Sequence, residues 1–210
     1  GRGRRRGPPR LADRERARRA HGSSHRIAVV GLIPAGGSGE RLGADRPKAF
    51  VVCGGRPLLD WSVEALSSVC DRVVVAVPDG YESGRDRVRG GEVRSASVRS
   101  ALAAAPEATI AVVHDAARPL VTPDLVRRCV AALEDEEIDG AIAAAPVTDT
   151  IKEAGEDGRV TRTLDRSALW AVQTPQVFRA DKLRVALDVR FDALAAATDD
   201  AALVEAAGGR

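Results

Sequence analysis

Short apolar runs alternate with helical segments along most of this chain, and the alternation restricts its fold more than any other feature. The apolar runs are rich in Val, Ile, Leu and Ala, as strands buried on both faces of a parallel sheet are: residues 27–34, 72–78, 109–114 and 138–145. Helical patterns occupy residues 57–70, 98–105 and 122–133, the third beginning at a capping Thr122 or Asp124. The order predicts an α/β protein, a three-layer α/β/α sandwich around a mainly parallel sheet.

The alternation is interrupted at about residues 146–170. Residues 152–163 are polar and contain Gly155 and Gly158, and short apolar stretches flank them. This pattern predicts a β-hairpin arm that projects from the sheet and serves subunit pairing, with a plain surface hairpin as the alternative. The strand–helix order closes with a predicted helix at residues 199–207, which Gly208 and Gly209 would end.

Charge divides the chain into two parts. The first 26 residues carry ten arginines against Asp13 and Glu15, so the net charge of +2 conceals a basic tail and an acidic remainder. A basic tail can bind nucleic acid or an anionic membrane, but this one has no aromatic residue to stack on bases and no apolar face. We therefore expect residues 1–25 to be a disordered arginine-rich tail without such partners, and residues 26–210 to form the functional domain.

Cysteine and histidine usage argues against a structural metal or a disulfide framework. Cys53, Cys70 and Cys129 form no CxxC pair, and the three histidines, at positions 21, 25 and 114, add no ligand spacing. We therefore expect no metal ligands among the side chains and a reducing, cytoplasmic location. No apolar run approaches 18 residues, so the sequence predicts no membrane helix.

A glycine-rich loop, PAGGSGERLGADRPK at residues 34–48, directly follows the first predicted strand. Glycines let backbone N–H groups approach an anion closely, and Arg41 and Lys48 are placed to neutralise a polyphosphate. The loop is neither a Walker A motif nor a dinucleotide fingerprint. A merely flexible turn is the alternative, and the two cations favour a phosphate-binding loop.

A second polar group, HDAARP at residues 114–119, follows another predicted strand. Carboxyl ends of parallel strands share one edge of the sheet, so Asp115 is placed to contact a ribose or a metal beside the phosphate loop. Arg118 offers a fork to a phosphate, although the two residues could simply form a salt bridge. His114 is interpreted as structural. Further polar clusters are weaker when taken singly: residues 94–97, 150–152, 165–166, 173–176 and 198–200.

Taken in order, these motifs resemble those of the 2-C-methyl-D-erythritol 4-phosphate cytidylyltransferases of the non-mevalonate isoprenoid pathway. The matching stretches are PAGGSGERLGADRPK, GGEVRSASV, HDAARP, APVTDTIK, TLDRSALWAVQTPQVF and TDDA, and they extend over about residues 27–209. The resemblance implies a Rossmann-like nucleotidyltransferase fold. It also implies transfer of a cytidylyl group from CTP to methylerythritol phosphate, with release of pyrophosphate.

The resemblance also implies roles for individual residues. Arg41, Lys48, Asp115 and Arg166 would be catalytic, with Mg²⁺ bound mainly through the CTP phosphates. The nucleotide would be bound by Ala35, Gly36, Gly37, Gly91, Glu92, Ser97 and Asp115. Methylerythritol phosphate would be bound by Arg118, Thr150, Arg166, Thr174 and Thr198. In the family the arm embraces a second subunit, so we expect a homodimer in which Thr150 and Arg166 complete the neighbour's site.

Other interpretations stay open. A cytidylyltransferase acting on ribitol 5-phosphate or another alditol phosphate would share much of this pattern. The chain lacks an initial Met and ends where the family continues with a phosphate-binding lysine, so we expect a fragment with a truncated C-terminal end. Such a fragment could belong to a fused enzyme, or it could be an inactive nucleotide-binding module.

Overall fold

The computed structural model describes residues 28–36 and 46–210 of the chain. The predicted disordered tail, residues 1–25, lies outside the described residues, and so do Gly37 and Arg41 of the glycine-rich loop. What the sequence predicts for them stays a prediction.

The described residues form ten strands. They are β1 (Val29–Pro34), β2 (Val52–Cys53), β3 (Arg56–Pro57), β4 (Arg72–Val77), β5 (Arg87–Arg89), β6 (Ile110–Val113), β7 (Gly140–Pro146), β8 (Lys152–Ala154), β9 (Val160–Thr163) and β10 (Trp170–Arg179). Six of them build the central sheet in the order β5-β4-β1-β6-β10-β7. The four predicted apolar strands correspond to β1, β4, β6 and β7.

All strands of this sheet except β10 point the same way. β5, β4, β1 and β6 pair in parallel, whereas β10 lies antiparallel to both of its neighbours, β6 and β7. The predicted mainly parallel sheet is therefore confirmed, with one reversed strand inserted near its edge. Because the parallel strands end at one edge, the loops after β1, β4 and β6 gather there.

Within residues 28–36 and 46–210, six α-helices cover the two faces of the sheet. They are α1 (Leu58–Ser67), α2 (Arg94–Ala103), α3 (Pro123–Ala132), α4 (Ala180–Leu187), α5 (Phe191–Ala196) and α6 (Asp200–Ala206). Helices α2, α4, α5 and α6 contribute to one apolar cluster, and α1 and α3 to the other. This gives the predicted three layers. α2 begins earlier than predicted, at Arg94, and Thr122 caps α3 as expected by accepting from the Leu125 N–H at 3.3 Å.

The two cores follow from the period of two in the strands. Val30 and Leu32 of β1 enter one cluster, and Ile33 enters the other. Successive side chains of a strand point to opposite faces, so an unbroken apolar run is what a doubly covered strand requires.

The predicted arm is present as a separate two-stranded hairpin of β8 and β9. Lys152 pairs with Thr163 at its base, and Gly158 takes a positive φ of 76° in the turn. Every residue of the two strands is exposed. The arm therefore stands away from both apolar cores.

Strand β10 was not predicted as a strand, and its sequence explains why. The first four residues of β10, WAVQ, are exposed and do not form the unbroken buried apolar run of the other predicted strands. The pairing of β10 with β7 also shifts register between Val172 and Gln176. The Thr174–Pro175 peptide bond within this shift is cis. The polar residues 173–176, which look like a turn in the sequence, thus lie inside the sheet.

Candidate functional site

A cavity of about 620 Å³ opens at the edge of the sheet where β1, β4 and β6 end. Its walls come from the loops after β1, β5 and β6, the turn at residues 48–50 and the start of α2. The lining includes eight residues expected from the sequence: Ala35, Gly36, Lys48, Gly91, Glu92, Ser97, Asp115 and Arg118. The structure therefore brings the phosphate-loop residues and the HDAARP residues together, as predicted, while the roles of these residues stay predictions.

One wall of the cavity is held by the hydroxyl of Ser97, which is buried. Its Oγ accepts from the Gly91 N–H at 3.1 Å and lies 3.3 Å from the carbonyl oxygens of Gly91 and Val93. A methyl group on Gly91 would lie 2.5 Å from the Ala96 Cβ, closer than side chains pack. The close contact explains the glycine, and Ser97 acts here by fixing the backbone that lines the cavity.

Asp115 lies between two arginines. Its Oδ1 accepts from Arg94 Nε at 2.8 Å, and its Oδ2 accepts from Arg118 Nε at 3.0 Å. Burial by itself would raise the pKa of the Asp115 carboxyl, but the two guanidinium groups outweigh burial and hold that pKa below its ordinary value. The carboxylate therefore stays ionised at the cavity wall. The alternative considered from the sequence, a salt bridge between Asp115 and Arg118, is present within the site itself.

Arg94 belongs to the cavity wall but was not among the predicted site residues. Its Nη1 also donates to Asp200 Oδ2 at 2.5 Å, so it connects Asp115 to the start of α6. A signal was available in the sequence. A cation in the first turn of a helix lies near the positive end of the helix dipole and needs a carboxylate partner to be favourable there.

His114 is fully buried behind the cavity and ties β10 to the loop after β6. His114 Nε2 lies 3.1 Å from the Arg118 carbonyl oxygen, which can only accept, so Nε2 carries the ring proton and donates it. In the neutral ring Nδ1 then accepts from the Thr174 hydroxyl at 2.9 Å, while Thr174 Oγ1 accepts from the Asp115 N–H at 3.2 Å. Desolvation is the main cause that lowers the pKa of His114 to about 4, so the ring is neutral. This agrees with the structural role expected of His114.

A second cavity of about 360 Å³ adjoins the first and shares Arg118 with it. It is mainly apolar, with Pro119, Leu120 and Val121 on one side and Thr174 on the other. Arg118 and Thr174, both predicted to bind the second substrate, therefore lie at one place. The two adjoining cavities offer room for two ligands whose reacting groups meet near Asp115 and Arg118.

Three predicted substrate residues line neither cavity within this chain. Thr150 and Arg166 are exposed beside the arm, where Arg166 Nη1 donates to the Thr148 carbonyl oxygen. Thr198 is exposed just before Asp199. The positions of Thr150 and Arg166 fit their predicted role only if a second subunit brings its own cavity to the arm.

Among residues 28–36 and 46–210, no cluster of three or more His, Cys, Asp and Glu side chains could hold a metal ion. No helix in the same part of the chain is long and apolar enough to cross a membrane.

The three-layer fold, with paired cavities at the carboxyl edge of its sheet, is a nucleotidyltransferase fold. Residues 29–210 match the family model described as IspD, 2-C-methyl-D-erythritol 4-phosphate cytidylyltransferase. The chain belongs to this family.

Curated relatives and solved structures agree with this assignment. The chain is 47% identical over 193 residues to the 2-C-methyl-D-erythritol 4-phosphate cytidylyltransferase of Nocardia farcinica, covering 86% of this chain and 82% of the relative. It is 48% identical over 192 residues to that of Rhodococcus jostii, covering 87% and 83%. The crystal structure of the Thermus thermophilus enzyme superimposes with a TM-score of 0.72 at 37% identity, over 88% of this chain and 86% of that one.

Replacement of Gly91 by alanine should destabilise the protein. The new methyl group would collide with the Cβ and backbone of Ala96, which cannot move without shifting α2. We expect the free energy of unfolding to fall by about 1–3 kcal/mol, measured by urea denaturation. Gly36→Ala is the matched control, because its nearest atoms lie 3.6 and 3.9 Å away, at ordinary contact distance. Equal losses in the two variants would contradict this explanation.

The buried His114 should make stability fall as the pH is lowered. The unfolded imidazole takes up a proton near pH 6.5, whereas the folded one resists protonation until about pH 4. Stability is therefore lost as the pH falls through this window, by about 3 kcal/mol in all. His114→Gln should be less stable at pH 7 and should lack this part of the pH dependence, measured by urea denaturation at several pH values. Parallel curves for the two proteins would contradict the prediction.

Proposed function

We propose that this chain transfers the cytidylyl group of CTP to 2-C-methyl-D-erythritol 4-phosphate in isoprenoid biosynthesis and releases pyrophosphate. The observation that carries the proposal is that Lys48, from the glycine-rich loop, meets Asp115 and Arg118, from the loop after β6, where two cavities adjoin. The family match supplies the identity of the substrates.

The reaction needs placement and charge more than a protein nucleophile. An oxygen of the substrate phosphate attacks the α-phosphorus of CTP, a new phosphoanhydride bond forms, and the bond to the β-phosphate breaks with loss of pyrophosphate. Both reactants are anions, so the protein must hold them together against repulsion and stabilise the charge on the phosphates. Lys48 supplies one cation at the first cavity, and Arg41 is proposed to supply another from the loop.

The nucleoside is proposed to bind against two neighbouring backbone segments. Ala35 and Gly36 line the first cavity together with Gly91 and Glu92, and Ser97 holds Gly91 in place. Backbone N–H and C=O groups at fixed positions can read the hydrogen-bonding edge of cytosine. This explains recognition of a base by a cavity whose lining contains no aromatic side chain among the described residues.

Asp115 is proposed to lie between the ribose and the second substrate. Its ionised oxygens accept hydrogen bonds from hydroxyl groups, which both ligands carry. Arg118 lies at the junction of the two cavities and offers a guanidinium to the phosphate of methylerythritol phosphate. Thr174 provides a hydroxyl on the opposite wall, and Thr198 is proposed to contribute a further one.

Mg²⁺ is proposed as the cofactor, bound mainly through the CTP phosphates. The carboxylates that line the first cavity are Asp115 and Glu92, and both oxygens of Asp115 already accept from Arg94 and Arg118. These side chains could not hold the ion alone, so the nucleotide phosphates would supply most of its oxygen ligands. When bound, the ion would neutralise phosphate charge in the transition state.

A homodimer built through the arm is proposed from the exposed surface. Strand β7 forms the sheet edge, and its Ala144–Pro146 end is exposed beside Trp170 and Val172, whose exposed fractions are 61% and 39%. An apolar patch beside an unpaired edge is typical of a covered interface. The patch lies beside the residues that precede and follow the arm, so a partner seated there would bring its cavity near Arg166 and Thr150.

A cytoplasmic location is proposed from the thiols. Cys53, Cys70 and Cys129 are all free, and two of the three are buried. Unpaired thiols are typical of a reducing compartment.

The proposed activity predicts pyrophosphate release from CTP, Mg²⁺ and methylerythritol phosphate, with much slower release from UTP or ATP. Lys48→Ala should lower kcat by about 100-fold or more, since it removes a cation from the developing charge. A coupled pyrophosphate assay measures both. Lys182→Ala is the control, because that lysine pairs with Asp139 away from the cavities. Faster turnover of ribitol 5-phosphate, or normal turnover by Lys48→Ala, would contradict the proposal.

The dimer predicts that two inactive variants restore each other. Lys48→Ala and Arg166→Ala damage different halves of a shared site, so a mixed dimer keeps one intact site. About a quarter of the wild-type activity should return when equal amounts are co-refolded, since half of the dimers are mixed. Lys48→Ala mixed with Asp115→Asn should restore nothing, because both residues line the same cavity of one subunit. Equal recovery in both mixtures, or none in either, would contradict the shared site.

A further inference from the structure

A chain of charges runs from the cavity wall into the protein interior. Arg94 Nε donates to Asp115 at 2.8 Å, and its Nη1 donates to Asp200 at 2.5 Å. The three residues come from α2, from the loop after β6 and from the start of α6. We refer to Asp115, Arg94 and Asp200 together as the carboxylate bridge.

Burial increases along the carboxylate bridge away from the cavity. The side-chain exposures are 25% for Asp115, 30% for Arg94 and 0% for Asp200. Asp200 Oδ1 has no hydrogen-bond partner among the described residues. A buried carboxylate with one oxygen unsatisfied is costly. Burial raises the pKa of Asp200, and the Arg94 guanidinium opposes that rise by favouring the charged form.

Helix α6 does not need Asp200 for its own attachment. The preceding residue, Asp199, caps the helix by accepting from the Ala202 N–H at 2.9 Å. Asp199 also accepts from Gln176 Nε2 of β10 at 2.8 Å. The start of α6 is thus capped and tied to the sheet by Asp199, which leaves Asp200 to serve Arg94.

Geometry explains why Arg94 needs a second carboxylate. Arg94 is an extended, rotatable side chain, and its contact with Asp115 alone would leave the guanidinium free to turn. Contacts through two different nitrogens fix the plane of the group. The Nε atom then points at Asp115 Oδ1 and leaves Oδ2 directed towards Arg118.

We propose that Asp200 is a positioning residue for cytidylyl transfer: it fixes Arg94, and Arg94 in turn fixes the Asp115 carboxylate at the meeting point of the two substrates. This role rests on the proposed function, and it goes beyond it because Asp200 lines neither cavity. Asp200 acts on the reacting groups only through Arg94 and does not touch them.

The test compares Asp200→Asn with Asp199→Asn. Both remove one charge at the same helix start, but Asp199 does not contact Arg94. In Asp199→Asn the new side chain can still cap the helix, because Asn is a good cap. Its amide group can donate to Gln176 Oε1, which is unpartnered, once the Gln176 amide has turned over. Asp200→Asn should lower kcat by about 10- to 100-fold and weaken CTP binding by a smaller factor, because the backbone around Gly36 and Gly91 stays in place and only the ribose contact of Asp115 depends on Arg94. Asp199→Asn should change kcat less than about threefold. Equal effects of the two variants would overturn the proposal.

A paired replacement separates positioning from stability. Arg94→Met with Asp200→Leu removes both charges, so no buried charge is left without its partner. We expect the melting temperature of this double variant to be closer to wild type than that of Arg94→Met alone. We expect kcat to stay low, because Asp115 has lost its contact with Arg94. Recovery of kcat together with stability would show a structural role only and overturn the proposal.

Two further measurements keep the outcomes distinct. If the bridge acts as one unit, Asp200→Asn should lower kcat by less than about twofold when it is added to Arg94→Lys. Multiplying effects would overturn the proposal. A crystal structure of Asp200→Asn should show Arg94 and the Asp115 carboxylate displaced, and an unchanged 2.8 Å contact would also overturn it. Absence of turnover in the wild-type protein would refute the proposed function alone, since the crystal structure does not depend on activity.

Discussion

The shared direction of the buried strands is the constraint on which the rest of this structure depends. β1, β4 and β6 are apolar on both faces, so helices must cover both sides and the chain must return to the same edge after each strand. The consequence is that loops far apart in sequence end beside each other. One cavity is therefore lined by three segments: the glycine-rich loop, the residues around Gly91 and the HDAARP residues.

The reversed strand β10 positions the charged residues at this edge of the sheet. It enters between β6 and β7, and its register shift carries Thr174 to His114. The hydrogen bonds from there reach the Asp115 N–H and the Arg118 carbonyl oxygen. A segment that pairs with the sheet only irregularly therefore orients the two charged residues at the junction of the cavities. Burial of a neutral His114 makes this orientation independent of protonation near pH 7.

The sequence predicts the sheet and most of one cavity, for identifiable reasons. Unbroken apolar runs and the strand-ending loops around Lys48 and Asp115 follow local rules that tertiary contacts do not override. β10 could not be predicted from these local rules, because its residues 173–176 resemble a turn. Their place in the sheet depends on the register shift between β10 and β7. Arg94 and Asp200 are 106 positions apart, so nothing local connects them. The expected roles of Thr150 and Arg166 depend on family resemblance, since a single chain keeps them away from both cavities.

The close packing around Gly91 has a consequence for changing what the cavity accepts. Ala96 lies too near to admit even one methyl group, and the hydroxyl of Ser97 is already bonded to the same backbone. The width of this part of the cavity is therefore set by main-chain positions and not by side chains. Exchange of single amino acids can narrow it but offers little means to widen it. Acceptance of a larger base would require a different length of the connection between β5 and α2.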